Sequence, residues 1–316
     1  MEEYAYKPVI VNCIIPEAFP PVALFTKGSG GNYILYKNSE RPFTPEDHQR
    51  LARGGTKCMF VHTEDFRDLI TYLEENLARF LASDEITEGA KNVILCQIST
   101  EYIAEMMEKR TGVDDKLIRC RRLIRHLMAH VTGNAGIFGL MKELASEPRY
   151  ILEHSVKVAA LTMLFHDRHF SIEHDEMIDI GVGGILHDIG MMFLCADILD
   201  KPDALSDVEY NTVKKHPVLG HEFLQKVGVD SEVALTVVKH HHEHWDGSGY
   251  PGMLRANAIP RSAQVAAICD IYCALTSNRP YRKASSHEEA LRIMKDEAGR
   301  TFNDELFRRF ADLIGN

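Results

Sequence analysis

The chain has no Cys-x-x-Cys pair, and its seven cysteines (Cys13, Cys58, Cys96, Cys120, Cys195, Cys269 and Cys273) are scattered and odd in number. A zinc ribbon and a secreted disulfide framework are therefore disfavoured, and buried reduced thiols are expected. No uninterrupted apolar run approaches the roughly 18 residues of a membrane span. The opening stretch, Met1 to Val11, lacks the basic and apolar regions of a secretory leader, so a cytoplasmic protein with no membrane partner is expected. Positive charge is also scarce: 36 Lys+Arg stand against 46 Asp+Glu, a net charge of −10. That balance disfavours a binder of polymeric nucleic acid but leaves room for a local basic pocket. No repeat or low-complexity tract is evident, and 45% hydrophobic with 26% charged residues excludes wholesale disorder.

Histidine, by contrast, is plentiful and unevenly placed. Of 16 in the chain, only His48, His62, His126 and His130 lie in the first 150 residues. The other twelve lie in the second half, which points to imidazole chemistry there.

The length of 316 residues suggests roughly two domains, or one with an appendage. The pattern predicts strands at Val22–Thr26, Tyr33–Tyr36 and Lys57–His62, with a turn or loop at Gly28 to Gly31. Thr44 before Pro45-Glu46-Asp47 predicts a capped helix start, with a stop at Gly54-Gly55. The glycine stretch lacks the Gly-Lys-Ser/Thr ending of a phosphate loop. From about Asp65 the apolar spacing becomes helical, with breaks near Ser83-Asp84, Thr111-Gly112 and Thr132-Gly133. After Pro148 almost everything is helix-compatible, with loops at His169–His174, Lys201-Pro202, Val227–Asp230 and Asp246–Ile259. The expectation is a mainly α protein: a small α/β module over residues 1–81, a helical linker over 82–147, and an all-helical bundle over 148–316.

Within the bundle, His154, Val158, Leu161 and Phe165 share one helical face, so His154 points inward. His187-Asp188 sits in the apolar, glycine-rich frame GGILHDIG, where an ionised aspartate needs a positive partner. Two other His-Asp pairs, His166-Asp167 and His174-Asp175, lie in the polar stretch HDRHFSIEHD and read as a solvated helix end. Further on come His216, then His241 and His242, then Asp270 inside the apolar helix AQVAAICDIYCAL. A buried arginine is the alternative partner for Asp270. Imidazole and carboxylate without thiolate favour iron, manganese, zinc or another hydrolytic divalent ion. Five histidines and two aspartates exceed the needs of one ion. Two ions sharing a carboxylate would use all seven, and such a pair suits the clamping of a phosphodiester.

The ordered set His154-Ser155, His187-Asp188-Ile189-Gly190, Lys215-His216-Pro217, His241-His242-Glu243, Asp246 to Pro251 (DGSGYP), and Asp270 leading to Arg279-Pro280-Tyr281-Arg282 closely resembles the HD-GYP family, a branch of the HD metal-dependent phosphohydrolases. The match runs from about Pro148 to Ile314. The resemblance implies an all-helical domain that linearises cyclic di-GMP to pGpG and, in some members, GMP. It implies that His154, His187 and Asp270 hold one metal and His216, His241 and His242 the other, with Asp188 bridging. The same resemblance implies that His187 and Asp188 would form the catalytic core and that a hydroxide between the metals would be the nucleophile. Iron or manganese is expected first, with zinc, nickel or magnesium as alternatives. Where some members carry a glutamate that recruits a third metal, this chain has Tyr150, which favours two. Gly249, Tyr250 and Pro251 would lie beside a guanine or its phosphate. Arg279 and Arg282 resemble the phosphate-gripping basic pair, with surface salt bridging as the plainer reading.

Three positions depart from the family pattern. Met191 stands where lysine is usual, Cys273 where a second aspartate is usual, and His244 where arginine is frequent. A missing cation near developing transition-state charge slows turnover. This motivates a second reading, a slow or inactive sensor that binds the dinucleotide or a diguanylate cyclase. A third reading is a phosphodiesterase for another cyclic dinucleotide such as cyclic GMP-AMP. A homodimer is compatible with the sequence. His240 is expected on the solvated surface.

Overall fold

The structure, a computed structural model, describes residues 5–28, 30–107, 113–133, 139–141, 150–199, 201, 203–278 and 283–315. It divides into two compact units, Met1–Ile98 and Ser99–Asn316.

The first unit carries a four-stranded sheet in the order β1-β4-β2-β3, with every pairing antiparallel. The strands are β1 (Tyr6–Ile10), β2 (Leu24–Lys27), β3 (Tyr33–Lys37) and β4 (Cys58–His62). Three lie within two residues of the expected strands; β1 was not foreseen. Its central Pro8 argues against a strand in sequence, but β1 is a sheet edge, where a missing ladder donor is tolerated. Helix α1 (Pro45–Arg53) begins where the capping pattern predicts: Thr44 and Asp47 form a reciprocal capping box with Pro45 in the first turn. Helix α2 (Phe66–Ala82) buries Leu69, Leu73, Leu77 and Phe80 at helical spacing. The Tyr72 hydroxyl donates to Cys13 O at 2.6 Å and accepts from Ile15 N at 2.9 Å. Helix α3 (Glu88–Met107) runs through the division between the units.

The rest of the second unit is helical: α4 (Val113–Thr132), α5 (Tyr150–His169), α6 (His174–Leu186), α7 (Asp207–Val213), α8 (His216–Lys226), α9 (Glu232–His240), α10 (Arg261–Thr276), α11 (His287–Glu297) and α12 (Asp304–Gly315). A 3-10 turn, Ile189–Phe193, follows α6. The expected breaks at Ser83 and Thr132-Gly133 coincide with the ends of α2 and α4. The break at Thr111-Gly112 and the residue Pro202 lie outside the described residues.

Helix α6 is the hub, packed against α5 on one side and α9 on another. Glycine permits both approaches. A Cβ on Gly184 would stand 2.8 Å from Ala159 Cα in α5, and one on Gly183 would stand 2.7 Å from Val237 Cβ in α9. A side chain at either position would push apart the helices that carry the histidines.

One expectation is corrected here. His166 is fully buried rather than solvated. Its Nδ1 donates to Thr162 O at 2.8 Å, while the adjoining Asp167, and Asp175 in the other pair, are exposed. Burial lowers the His166 pKa to about 4, so the ring is a neutral core residue.

Candidate metal centre

Helix ends build the site. His187 follows the last residue of α6, His216 opens α8 just after α7 ends, and His241 follows the last residue of α9. The last carbonyls of a helix lack intrahelical donors, and here imidazoles supply them. Nδ1 of His187 lies 2.8 Å from Gly184 O, Nδ1 of His216 lies 2.8 Å from Val213 O, and Nδ1 of His241 lies 2.9 Å from Val238 O. Because a carbonyl only accepts, each Nδ1 carries a proton, and in the neutral ring Nε2 keeps its lone pair.

Those Nε2 atoms converge on Asp188. His216 Nε2 lies 3.1 Å and His241 Nε2 3.9 Å from Asp188 Oδ1, and His187 Nε2 lies 3.3 Å from Oδ2. The Nε2 atoms of His216 and His241 are 3.3 Å apart. From mid-helix positions on α5 and α10, His154 Nε2 meets Asp270 Oδ1 at 2.8 Å. The inward face read for His154 is the observed one, and Asp270 pairs with this histidine rather than with an arginine. The His154 and His187 rings lie 5.3 Å apart, edge to face. His242 lies beside His241, with ring centroids 4.2 Å apart, and 5.0 Å from His216.

The donor atoms form two groups within 4.8 Å: Asp188, His216, His241 and His242, and His154, His187 and Asp188. Asp188 belongs to both. His187 Nε2 is fully buried and has no hydrogen-bond partner. Inward-turned lone pairs, a shared carboxylate and tautomers fixed by carbonyls fit divalent metal ions.

The electrostatics follow from the same crowding. Burial would depress the charged form of His187, but the adjoining Asp188 carboxylate prevails and lifts its pKa to about 9, so at neutral pH its Nε2 also holds a proton, which a bound metal ion would displace. Burial works against ionised Asp188, yet His187 and His216 hold it well below the ordinary carboxylate range; His154 does the same for Asp270. Burial and the neighbouring imidazoles push His241 far down, and burial lowers His242 to about 4. Those two rings stay neutral, the form that binds metal.

Tyr250 stacks on His242, with centroids 4.8 Å apart and planes at 26°. Its backbone N donates to His242 O at 3.0 Å. Gly249 is buried against the backbone of His242 to His244, and Pro251 follows Tyr250 through a cis bond. Arg279 and Arg282 lie outside the described residues.

Two arrangements go beyond the expectations drawn from the sequence. Buried Glu243 holds the loop: Oε1 accepts from Gly252 N at 2.6 Å, and Oε2 accepts from Leu254 N at 2.9 Å. His240 also turns inward, its Nδ1 3.4 Å from Glu243 Oε1; this replaces the expected solvated position. His244 Nδ1 lies 3.0 Å from Ser248 Oγ. Beside His154, Glu153 and Lys157 form a buried ion pair, and Ser277 Oγ accepts from Lys157 Nζ at 3.1 Å and donates to Glu153 Oε1 at 3.2 Å. The signal was a Glu and a Lys four apart on the buried face of an otherwise apolar helix. Cys273 is buried, and burial keeps its thiol protonated.

Comparisons with known proteins identify the family. Residues 140–306 match the family model described as HD domain. The chain is 33% identical over 239 residues to the cyclic di-GMP phosphodiesterase PA4108 of Pseudomonas aeruginosa, covering 75% of this chain and 56% of the relative. It is 35% identical over 153 residues to the 3'3'-cGAMP-specific phosphodiesterase 1 of Vibrio cholerae, covering 48% of this chain and 35% of that protein. The chain thus spans between a third and three fifths of these relatives. In fold it is similar to Bd1817, an HDG"Y"P protein from Bdellovibrio bacteriovorus, with a TM-score of 0.69, 17% identity, and coverage of 98% of this chain and 100% of that one. The chain belongs to the HD domain family.

Proposed function

We propose that this protein is a dinuclear-metal phosphodiesterase that linearises cyclic di-GMP to pGpG. The observation that carries the reading is Asp188, whose two oxygens face separate histidine groups. His154, His187 and Asp270 would hold one divalent ion, and His216, His241 and His242 the other, with Asp188 shared. Imidazole and carboxylate donors without thiolate favour iron or manganese. Bound there, divalent ions supply Lewis acidity toward the phosphodiester and lower the pKa of water.

The protein's own residues prepare that chemistry. The Gly184, Val213 and Val238 carbonyls orient three imidazoles before any ligand arrives, limiting reorganisation during the reaction. Tyr250 offers an aromatic face and a neutral hydroxyl, since burial holds its pKa above the ordinary phenol value. Glu243 keeps that loop seated. We assign residues 148–316 as the catalytic domain, residues 1–81 as an accessory module and 82–147 as the linker. A cytoplasmic location matches the substrate class; no helix among the described residues is long and apolar enough to cross a membrane.

The test is metal analysis coupled to product identification on a single preparation. Protein carrying two metal equivalents should convert cyclic di-GMP to pGpG or GMP, and His187→Ala should lose both metal and product. Absence of product from fully loaded protein would sink the proposal. Likeness to a 3'3'-cGAMP-specific relative supports cyclic GMP-AMP as the competing substrate, so the two dinucleotides should be compared side by side. Binding with negligible turnover, relieved by Met191→Lys, would favour a sensor.

A further inference from the structure

A cation at the mouth of the metal centre has no role so far. Helix α7 ends at Val213, and a tight turn leads to His216: Lys214 N donates to Tyr210 O at 3.0 Å, and Lys215 N to Thr212 O at 3.1 Å. Tyr210 and Lys214 are therefore one helical turn apart, two residues from a candidate metal ligand. Lys214 Nζ lies 4.6 Å from the Tyr210 ring centroid and 5.5 Å from that of Tyr250. Tyr250 in turn stacks on His242. The cation thus connects an exposed aromatic ring to the ring that covers the metal centre.

Its electrostatic surroundings are unusual for a lysine near a helix end. Among the described residues, no carboxylate lies within 4.0 Å of Lys214 Nζ. Glu209, on the same helix, is already taken: its carboxylate accepts from Lys201 Nζ at 2.7 and 2.9 Å and from Ser206 N at 2.7 Å. Lys214 is instead held against two π faces, which orient the ammonium without neutralising it. Tyr210 remains 48% exposed, so part of its ring is available for stacking.

The position matters because of what stands opposite. The backbone at Gly190 touches that of His216 so closely that a Cβ would sit 2.0 Å from His216 O. Met191, the next residue, offers a thioether and no charge toward an anion. Lys214 lies two residues before the same His216 in the chain.

Resting on the phosphodiesterase reading above, we propose that Tyr210, Lys214 and Tyr250 form a recognition subsite for the substrate. Lys214 donates a charge-assisted hydrogen bond to a non-bridging phosphate oxygen, and the free face of Tyr210 stacks on a purine base. The ligand class is a purine dinucleotide with its phosphodiester beside the metals; the two aromatic faces and the cation match its alternating bases and phosphates.

The experiment uses the full, metal-loaded chain and four variants: Lys214→Met, Lys214→Arg, Tyr210→Ala and Tyr210→Phe. Lys214→Met should raise the cyclic di-GMP KM and dissociation constant by roughly ten- to hundredfold, the worth of one charged hydrogen bond, with metal content and Tm unchanged. Lys214→Arg should recover most of the loss. Tyr210→Ala should weaken binding several-fold while Tyr210→Phe does not, because stacking needs the ring and not the hydroxyl. Binding within about twofold of native in Lys214→Met would overturn the assignment, as would a parallel loss of metal. A second substrate, bis(p-nitrophenyl) phosphate, separates this inference from the reading beneath it. If native protein cleaves that ester but no cyclic dinucleotide, the phosphodiesterase reading for cyclic di-GMP falls. A raised ester KM in Lys214→Met then still supports the phosphate contact, and an unchanged one overturns it.

Discussion

Two carboxylates, Asp47 in the first unit and the half-buried Asp188 in the second, divide the molecule into structure and chemistry. Asp47 in the first unit is fully buried, and its oxygens are occupied by donors. Arg41 reaches both, at 2.5 and 2.7 Å; Tyr36 donates at 3.0 Å and Thr44 N at 3.2 Å. Asp188 in the second unit is half-buried, and its neighbours are the Nε2 atoms of imidazoles whose Nδ1 protons are committed to carbonyls. Surrounding a carboxylate with fixed donors makes a brace, whereas surrounding it with ring nitrogens that can be stripped of a proton makes a socket for a cation. Burial alone does not distinguish them; the direction in which the neighbouring protons point does.

Swapping the charge at each position sharpens that contrast. The largest effect is expected for Asp188→Asn, which removes the shared ligand: metal affinity should fall more than about a hundredfold, read by metal analysis after dialysis, with turnover lost in parallel. Asp47→Ala should do the opposite. It should destabilise the first unit by about 2–3 kcal/mol, through a lost cap and lost charged hydrogen bonds, and leave metal content unchanged. Denaturant unfolding checks this. The sign with pH is defined: burial works against the Asp47 carboxylate, but Arg41 and Thr44 hold its pKa below the ordinary value. Its contribution is therefore present above the normal carboxylate range and lost as pH falls through the lowered value. The smallest effect belongs to Glu243→Gln, which keeps the shape but puts an amide where two N–H groups converge. A loss of about 1–2 kcal/mol is expected, with KM raised several-fold through a loosened Tyr250 and metal content intact.

Much of this architecture is legible in the residues themselves. Thr44-Pro45-Glu46-Asp47 announces α1 because capping is a local interaction. The ligand-type residues stand out because histidine and aspartate within apolar helices need a compensating partner. Strand β1 is hidden because Pro8 breaks the local pattern and only the sheet order reveals an edge. Glu243 is hidden for another reason: its partners Gly252 and Leu254 lie nine and eleven residues away on a loop whose path no periodicity encodes. His166 and His240 look solvated among polar neighbours, but helix rotation and the fold of the loop turn them inward. Lys214 reads as one of two adjacent surface lysines until Tyr250 folds back over His242.

The contact between Gly190 and His216 acts as a mechanical stop. With the nearest atom to a hypothetical Cβ being a backbone carbonyl, the spacing between the segment carrying Asp188 and the segment carrying His216 is set by the thickness of the main chain itself. Side chains can repack and relax by fractions of an ångström, but two abutting backbones have little to give. The gap is therefore held to a tighter tolerance than the surrounding core, and conservative substitutions among the apolar residues of α6 and α9 can accumulate without altering the gauge of the seat between them.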